Sequence, residues 1–316
     1  MNNNPPPPNL VAEIGCNHKG DMEIALEMIG IAATFAKCDY VKFQKRNNRE
    51  LLTAEEYTAP HPNPANAYGP TYGQHREFLE FDLDQHRQLQ QWCAQFGIGY
   101  ACSVWDLTSA REIASLDPDY IKIPSACNLR FDMLRELASE YRGELHIALG
   151  MTTPEEVLQI VSVLDEEHAL PRTVLYACTS GYPVPFDELC LLEIDELNKR
   201  HGDRLAAVGF SGHHLGIAAD IAAYTLGAQW IERHYTLDRT WKGTDHAASL
   251  EPDGLRRLVR DLRAVSQALT PRRCDILDIE VAQRAKLKRF EPAADPASAP
   301  FPAPQPQPRY HMHARA

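Results

Sequence analysis

No apolar run in this sequence approaches the ~20 residues that a membrane-spanning helix requires. The amino terminus, Met1-Asn2-Asn3-Asn4 followed by four prolines, has neither the basic nor the apolar region of a secretory signal. Basic residues are in the minority, 32 Lys and Arg against 43 Asp and Glu, for a formal charge of −11. That argues against a nucleic-acid surface, which needs a basic face. It leaves room for an anionic substrate, because a pocket can be locally basic inside an acidic protein. None of the eight cysteines forms a C-x-x-C pair, so the commonest zinc motif is missing. Several lie in apolar patterns, where free cysteine acts as a small hydrophobe. Together these features predict a reducing, cytoplasmic setting. No G-x-G-x-x-G follows the first apolar run, which weighs against a dinucleotide fold.

What is present is a regular alternation. The chain has 316 residues, 44% hydrophobic and 24% charged, enough for one large barrel or two ordinary domains. Short apolar runs at 10–14, 40–43, 99–102, 120–123, 146–149, 173–178, 206–210 and 230–231 read as strands. Stretches of helical spacing follow each of them, the last reaching about Leu269. Eight such units predict an α/β fold, a single (β/α)8 TIM barrel spanning 9–289. A long insertion after strand 2, about 47–81, carries Pro60, Pro62, Pro64 and Pro70 and reads as a functional lid or a disordered loop. Residues 290–316 are rich in Pro and Ala and read as a disordered tail. Pro5 to Pro8 read as a loose polyproline arm.

In such a barrel the active site is assembled where the strands end. His213 and His234 stand at matching positions after strands 7 and 8, so both can face one ion or substrate. A lone histidine there is more often structural, and the pair is what carries the reading. Lys42 and Lys122 interrupt apolar strands, where a charge without an anionic partner is costly. Two inward lysines with Ser103, Ser125, Ser180 and Ser211 suit a small molecule carrying phosphate and carboxylate. Glu13 ends strand 1 and can neutralise a lysine or serve as a general acid or base. Asn17, His18, Gln44, Lys45, Thr179, Tyr182, Asp245 and His246 stand at the same end.

These residues resemble the sialic acid synthases, which condense phosphoenolpyruvate with an amino-sugar aldehyde. The similarity lies in Glu13-Ile14-Gly15-Cys16-Asn17-His18, Val41-Lys42-Phe43-Gln44, Tyr120-Ile121-Lys122-Ile123, Gly150-Met151, Cys178-Thr179-Ser180-Gly181-Tyr182-Pro183, Phe210-Ser211-Gly212-His213 and Glu232-Arg233-His234-Tyr235-Thr236-Leu237-Asp238. It continues from Trp241 through Asp245-His246 to Ser249-Leu250-Glu251-Pro252. Thr71-Tyr72-Gly73 with His75, and the Trp241 segment, are most similar to the branch that makes the 9-phosphate sugar. The resemblance implies a divalent metal, Mn²⁺ or Mg²⁺, on His213 and His234. It implies that Lys42, Lys122, Ser103, Ser125 and Ser211 hold phosphoenolpyruvate. Gln44, Tyr182, Asp245 and Asn66 match acceptor contacts, with Ser180 beside them, and Glu13 matches a catalytic carboxylate. The implied acceptor is N-acetylmannosamine, its 6-phosphate or a relative.

Three departures from the family pattern stand out. Cys127 replaces an acidic acceptor contact, Ala148-Leu149 precede Gly150 where a serine is usual, and a Pro-rich stretch follows where an antifreeze-like domain is expected. The last leaves the family's homodimer an open expectation. A synthase for a different aldose or aldose phosphate, or a catalytically silent barrel that binds sugar phosphate or protein, remain the alternatives.

Overall fold

The computed structural model describes residues 5–289. The chain divides into two compact units, Met1–Leu269 and Thr270–Ala316. The boundary falls inside the 9–289 span read as barrel from the sequence. The Pro- and Ala-rich stretch 290–316 lies outside the described residues.

Eight strands build the first unit: β1 (Asn9–Gly15), β2 (Tyr40–Lys45), β3 (Gly99–Val104), β4 (Tyr120–Ile123), β5 (Glu144–Ala148), β6 (Thr173–Cys178), β7 (Ala207–Gly212) and β8 (Trp230–His234). They form a closed barrel in sequence order, each pair parallel, with β8 returning to β1. Helix α1 (Met22–Ile31) follows β1. Four helices separate β2 from β3: α2 (Asn48–Leu51), α3 (Ala54–Thr58), α4 (Tyr72–Phe78) and α5 (Leu83–Phe96). Then α6 (Leu107–Ala114), α7 (Phe131–Glu140), α8 (Pro154–Glu166), α9 (Glu193–His201), α10 (Ala218–Thr225) and α11 (Pro252–Ala268) follow β3 to β8 in turn. The described part of the second unit holds α12 (Asp278–Leu287). This is the (β/α)8 TIM barrel that the alternation predicts.

Local signals set the helix ends. Thr153 caps α8 reciprocally with Glu156, and Pro154 takes the first helical position, where its missing N–H costs nothing. Asp82 and Gln85 form the same box at α5, which stops at Gly97 with φ 68°.

Strand alternation sorts side chains into two cores. Outward residues such as Ile14, Phe43, Cys102, Ile121, Ile147, Leu175, Phe210 and Ile231 pack against the helices. Inward residues at the strand starts, Val11, Tyr40, Tyr120, Val174, Tyr176 and Trp230 among them, fill the barrel floor. The Tyr120 and His146 rings stack 3.7 Å apart there, with Trp230 edge-on to both. This aromatic plug closes the amino-terminal end, so the inward residues at the other end of the strands face open space.

The insertion is more ordered than its polarity suggests. Thr53 and Glu56 form a capping box at α3, and Thr71 caps α4. Its inner side buries His61, His75 and Phe81, with His61 and His75 rings 4.3 Å apart. Caps and imidazole packing hold it together, and neither registers as a hydrophobic run. The polyproline arm is also tied down, since Tyr224 donates to the Pro6 carbonyl (3.0 Å) and Ser266 to that of Pro5 (2.8 Å).

Candidate active site

Parallel register brings the strand-end residues level with one another. Glu13 is paired in register with Lys42 on one side and His234 on the other. Gln44 is level with Ser103, Ser103 with Lys122, and Ser211 with Glu232. A cavity of about 310 Å³ opens above them. Glu13, Lys42, Gln44, Ser103, Lys122, Ser125, Ser180, Tyr182, Ser211, His213 and His234 all line it. Eleven separately read positions thus converge on one space.

Two predicted residues do not line that cavity. Asn66 ends a 3-10 turn (Pro64–Asn66) in the insertion. Asp245 reaches toward the site from the loop after β8, with Oδ2 3.9 Å from His234 Nδ1. Asn17, His18 and His246 serve the scaffold. Asn17 donates to Tyr235 O (2.8 Å) and Ser249 Oγ (3.0 Å), His18 stacks on Phe81, and His246 Nδ1 lies 2.7 Å from the Thr236 hydroxyl.

The electrostatic centre is a buried network of two ammonium groups and two carboxylates. Lys42 pairs directly with Glu13 and donates to Ser103 Oγ (2.6 Å). Lys122 donates to Glu232 Oε1 (2.7 Å), which also accepts from Ser211 (3.2 Å) and lies 3.7 Å from Lys42. Gln44 donates to the remaining oxygen of Glu13 (3.0 Å). Burial works against the Lys42 charge, but Glu13 and Glu232 outweigh it and its pKa is raised. Burial opposes the Glu232 charge too, and Lys122 with Lys42 still holds this carboxyl below its ordinary range. Lys122 is held below the usual lysine range, by burial first, with the like charge of Lys42 adding to it and Glu232 opposing both.

Two glycines keep this network compact. A Cβ on Gly15, at φ 54°, would sit 3.0 Å from both Gln44 Nε2 and Glu13 Oε1. A Cβ on Gly150 would come within 2.4 Å of Ser180 Oγ and 2.8 Å of Ser125 Oγ. Ser125 instead accepts the Gly150 N–H (3.0 Å).

The two histidines stand across the cavity mouth with ring centroids 5.4 Å apart. His213 Nδ1 faces the Thr179 carbonyl at 3.0 Å, so Nδ1 is the donor and Nε2 keeps its lone pair. Burial, with His234 next to it, pushes the His213 pKa down to about 3, so this ring is neutral near pH 7. His234 Nδ1 is buried and has no hydrogen-bond partner among the described residues. Tyr182 covers both rings, at 4.4 and 5.9 Å between centroids. No third His, Cys, Asp or Glu among the described residues completes a cluster with them.

The family is decided by comparison with known proteins. The NeuB family profile matches residues 28–273. The chain belongs to the NeuB family. Human N-acetylneuraminate-9-phosphate synthase is 38% identical over 286 residues, covering 88% of this chain and 76% of the human protein. N,N'-diacetyllegionaminic acid synthase of Campylobacter jejuni is 32% identical, covering 82% of this chain and 77% of its own. Among solved structures, an N-acetylneuraminic acid synthetase from Leptospira borgpetersenii serovar Hardjo-bovis, in complex with citrate, superposes with a TM-score of 0.73. It is 26% identical and covers 90% of this chain and 94% of its own. Like these NeuB relatives, the chain is an enzyme, a synthase of the carbon–carbon bond-forming transferase class. No helix among the described residues is long and apolar enough to cross a membrane.

One member of the site escaped the sequence reading. Glu232 binds both lysines and Ser211, and it lines the cavity. Its signal was available: it breaks an apolar strand as Lys42 and Lys122 do, and it sits two residues before His234 on the same strand face. Of the departures from the family pattern, Ala148 lines the cavity with a methyl group, whereas Cys127 is buried and does not line it.

Proposed function

We propose that this NeuB chain condenses phosphoenolpyruvate with an amino-sugar aldehyde, N-acetylmannosamine, its 6-phosphate or a relative. The products are a nonulosonic acid and phosphate, and the reaction depends on Mn²⁺ or Mg²⁺ at His213 and His234. The observation that carries this reading is the union, in one cavity, of the Lys42–Glu13–Lys122–Glu232 network with the His213 and His234 rings.

Charge balance supports the metal. Two lysines face two glutamates, so their charges cancel before any ligand arrives. An incoming phosphate and carboxylate therefore need positive charge from elsewhere. The His213 Nε2 lone pair, and His234 Nδ1 with no hydrogen-bond partner among the described residues, are suitable donors for a divalent cation. When bound, the ion supplies Lewis-acid polarisation of the aldehyde oxygen.

The protein's own groups do the rest. Ser103, Ser125 and Ser211 offer hydroxyl donors, and Lys42 and Lys122 offer ammonium donors, to the phosphate and carboxylate oxygens. Held there, C3 of phosphoenolpyruvate bonds to the aldehyde carbon, and the aldehyde oxygen takes up a proton. Water adds at C2, losing one proton; the C2 hydroxyl then becomes the carbonyl as the C2–phosphate oxygen bond breaks, and its proton leaves with the phosphate. Glu13, fixed by Lys42 and Gln44, is the carboxylate placed to take the water's proton. The donors are already oriented, so they stabilise the shifting charge without reorganising.

The test is phosphate release from phosphoenolpyruvate across a panel of N-acetylmannosamine, its 6-phosphate, mannose and arabinose 5-phosphate, with Mn²⁺ or Mg²⁺ and with chelator. Release is expected only with an amino sugar and metal. Release with arabinose 5-phosphate alone assigns a different aldose synthase. No release with any sugar, while phosphoenolpyruvate still binds, leaves a silent barrel.

A further inference from the structure

Trp105 follows β3, lines the cavity, and has two arginines against its ring. Arg46 Cζ lies 5.6 Å from the ring centroid and Arg76 Cζ lies 5.7 Å away. The two arginines are employed very differently. Arg46 is a structural cation: its Nε and backbone N–H both go to Glu80, and its Nη2 donates to Cys16 Sγ (2.8 Å). That engagement occupies both oxygens of Glu80.

Arg76, on α4 of the insertion, has no carboxylate and no hydrogen-bond acceptor for its guanidinium among the described residues. Its contacts are the faces of Trp105 and of Tyr72, the latter at 5.4 Å. It is half-buried, not waving in solvent. The like charge of Arg46 is beside it, and after burial this is the main influence that depresses its basicity. The Trp105 Nε1–H is buried and also lacks a partner. The partly exposed guanidinium and the buried indole N–H thus lie near one another with no protein acceptor among the described residues. Held against two rings and partly open to solvent, this guanidinium is free to take an anion.

The missing partner is an anion, and its position narrows its identity. Arg76 does not line the 310 Å³ cavity itself; from α4 of the insertion it rests against Trp105, which does. The reacting carbons belong beside the lysines and histidines. An anionic group at the far end of the acceptor would meet Arg76, and a guanidinium fork matches two phosphoryl oxygens.

We propose that Arg76, braced with Arg46 on Trp105, binds the terminal phosphoryl group of a phosphorylated acceptor sugar and sets the choice between phosphorylated and free sugar. This rests on the synthase reading above, and it assigns to the insertion the role of specificity element.

Calorimetric binding and steady-state turnover test it together, with N-acetylmannosamine and its 6-phosphate as probes against the full chain, Arg76→Ala and Arg76→Lys. The intact protein should bind the phosphorylated sugar roughly 10- to 100-fold more tightly than the free sugar, the range expected for one charge-assisted pair. Arg76→Ala should collapse that ratio toward one, acting on KM more than on kcat, and Arg76→Lys should restore part of it. The preference should also weaken as salt is raised. Equal binding of the two sugars by the intact protein, or an undiminished ratio in Arg76→Ala with a native circular-dichroism spectrum, overturns the assignment. A binding preference that depends on Arg76, without phosphate release from phosphoenolpyruvate, upholds the phosphoryl site while sinking the synthase reading.

Discussion

Strand β8 sends neighbouring residues to opposite sides of the barrel wall, and the two buried charge clusters it feeds make an instructive contrast. Inward, Glu232 ties Lys42, Lys122 and Ser211 together beneath an open cavity. Outward, Arg233 pairs with Asp220 on α10, and donates to the His214 and Gly216 carbonyls and to His214 Nε2. Both sets are nearly inaccessible, with 5% side-chain exposure at Glu232 and none at Arg233. The outward set is sealed between strand and helix; the inward set borders space for a ligand. Burial of charge therefore does not by itself mark a functional site. A charge cluster becomes chemical machinery when a cavity gives it something to act on.

The contrast is sharpest at two adjacent residues. Removing the imidazole in His234→Ala should lower metal-dependent phosphate release by roughly 1,000-fold or more, with the melting temperature little changed, since no described group depends on its Nδ1. Unchanged turnover would remove the metal role from His234. Arg233→Ala should do the reverse in kind. It takes the arginine from the buried Asp220 carboxylate, leaving His214 Nε2 3.3 Å from it, and costs about 3–5 kcal/mol of stability, read as a shift in denaturant midpoint. An Arg233→Ala protein that keeps its midpoint yet loses catalysis would erase the distinction between the two clusters.

A smaller effect separates charge from neutral polar burial. His18 and His86 have pKa values pushed down to about 3, and His146 to about 4, in each case chiefly by burial. Folded pKa values below the unfolded value near 6.5 mean that the unfolded chain binds more protons once the pH drops below 6.5. Stability from these rings is complete above pH 6.5 and is lost as pH falls from there toward 4. Each contributes a slope of up to about 1.4 kcal/mol per pH unit. Denaturant titrations at pH 7.5, 6 and 5 measure it. A flat profile across that window would contradict neutral burial of these rings.

Much of the molecule was readable in advance. The period of strands and helices gave the barrel, because each strand buried on both faces reads as a short apolar run between helical stretches. Lys42, Lys122, His213 and His234 could be picked out because a charged or imidazole group at a strand end has few other places to go. Glu232 is less legible, because a carboxylate two residues before His234 shares one polar strand-end motif with it. The internal order of the insertion is not legible in sequence, because caps and ring contacts such as Thr53–Glu56 and His61–His75 leave no apolar period to detect.

Which buried charges pair with which is decided by the fold. Sequence offers Glu13 as a partner for one lysine or the other; register sets it against Lys42, and the fold adds Glu232 against Lys122. It could not tell Arg233 from Lys122, each being a cation within an apolar strand. One-dimensional order determined which residues lie at strand ends and their two-residue alternation, since both follow from the chain's own geometry. Only the closed barrel decided which face was the cavity and which was the wall, because that depends on strands far apart in sequence meeting in a particular register.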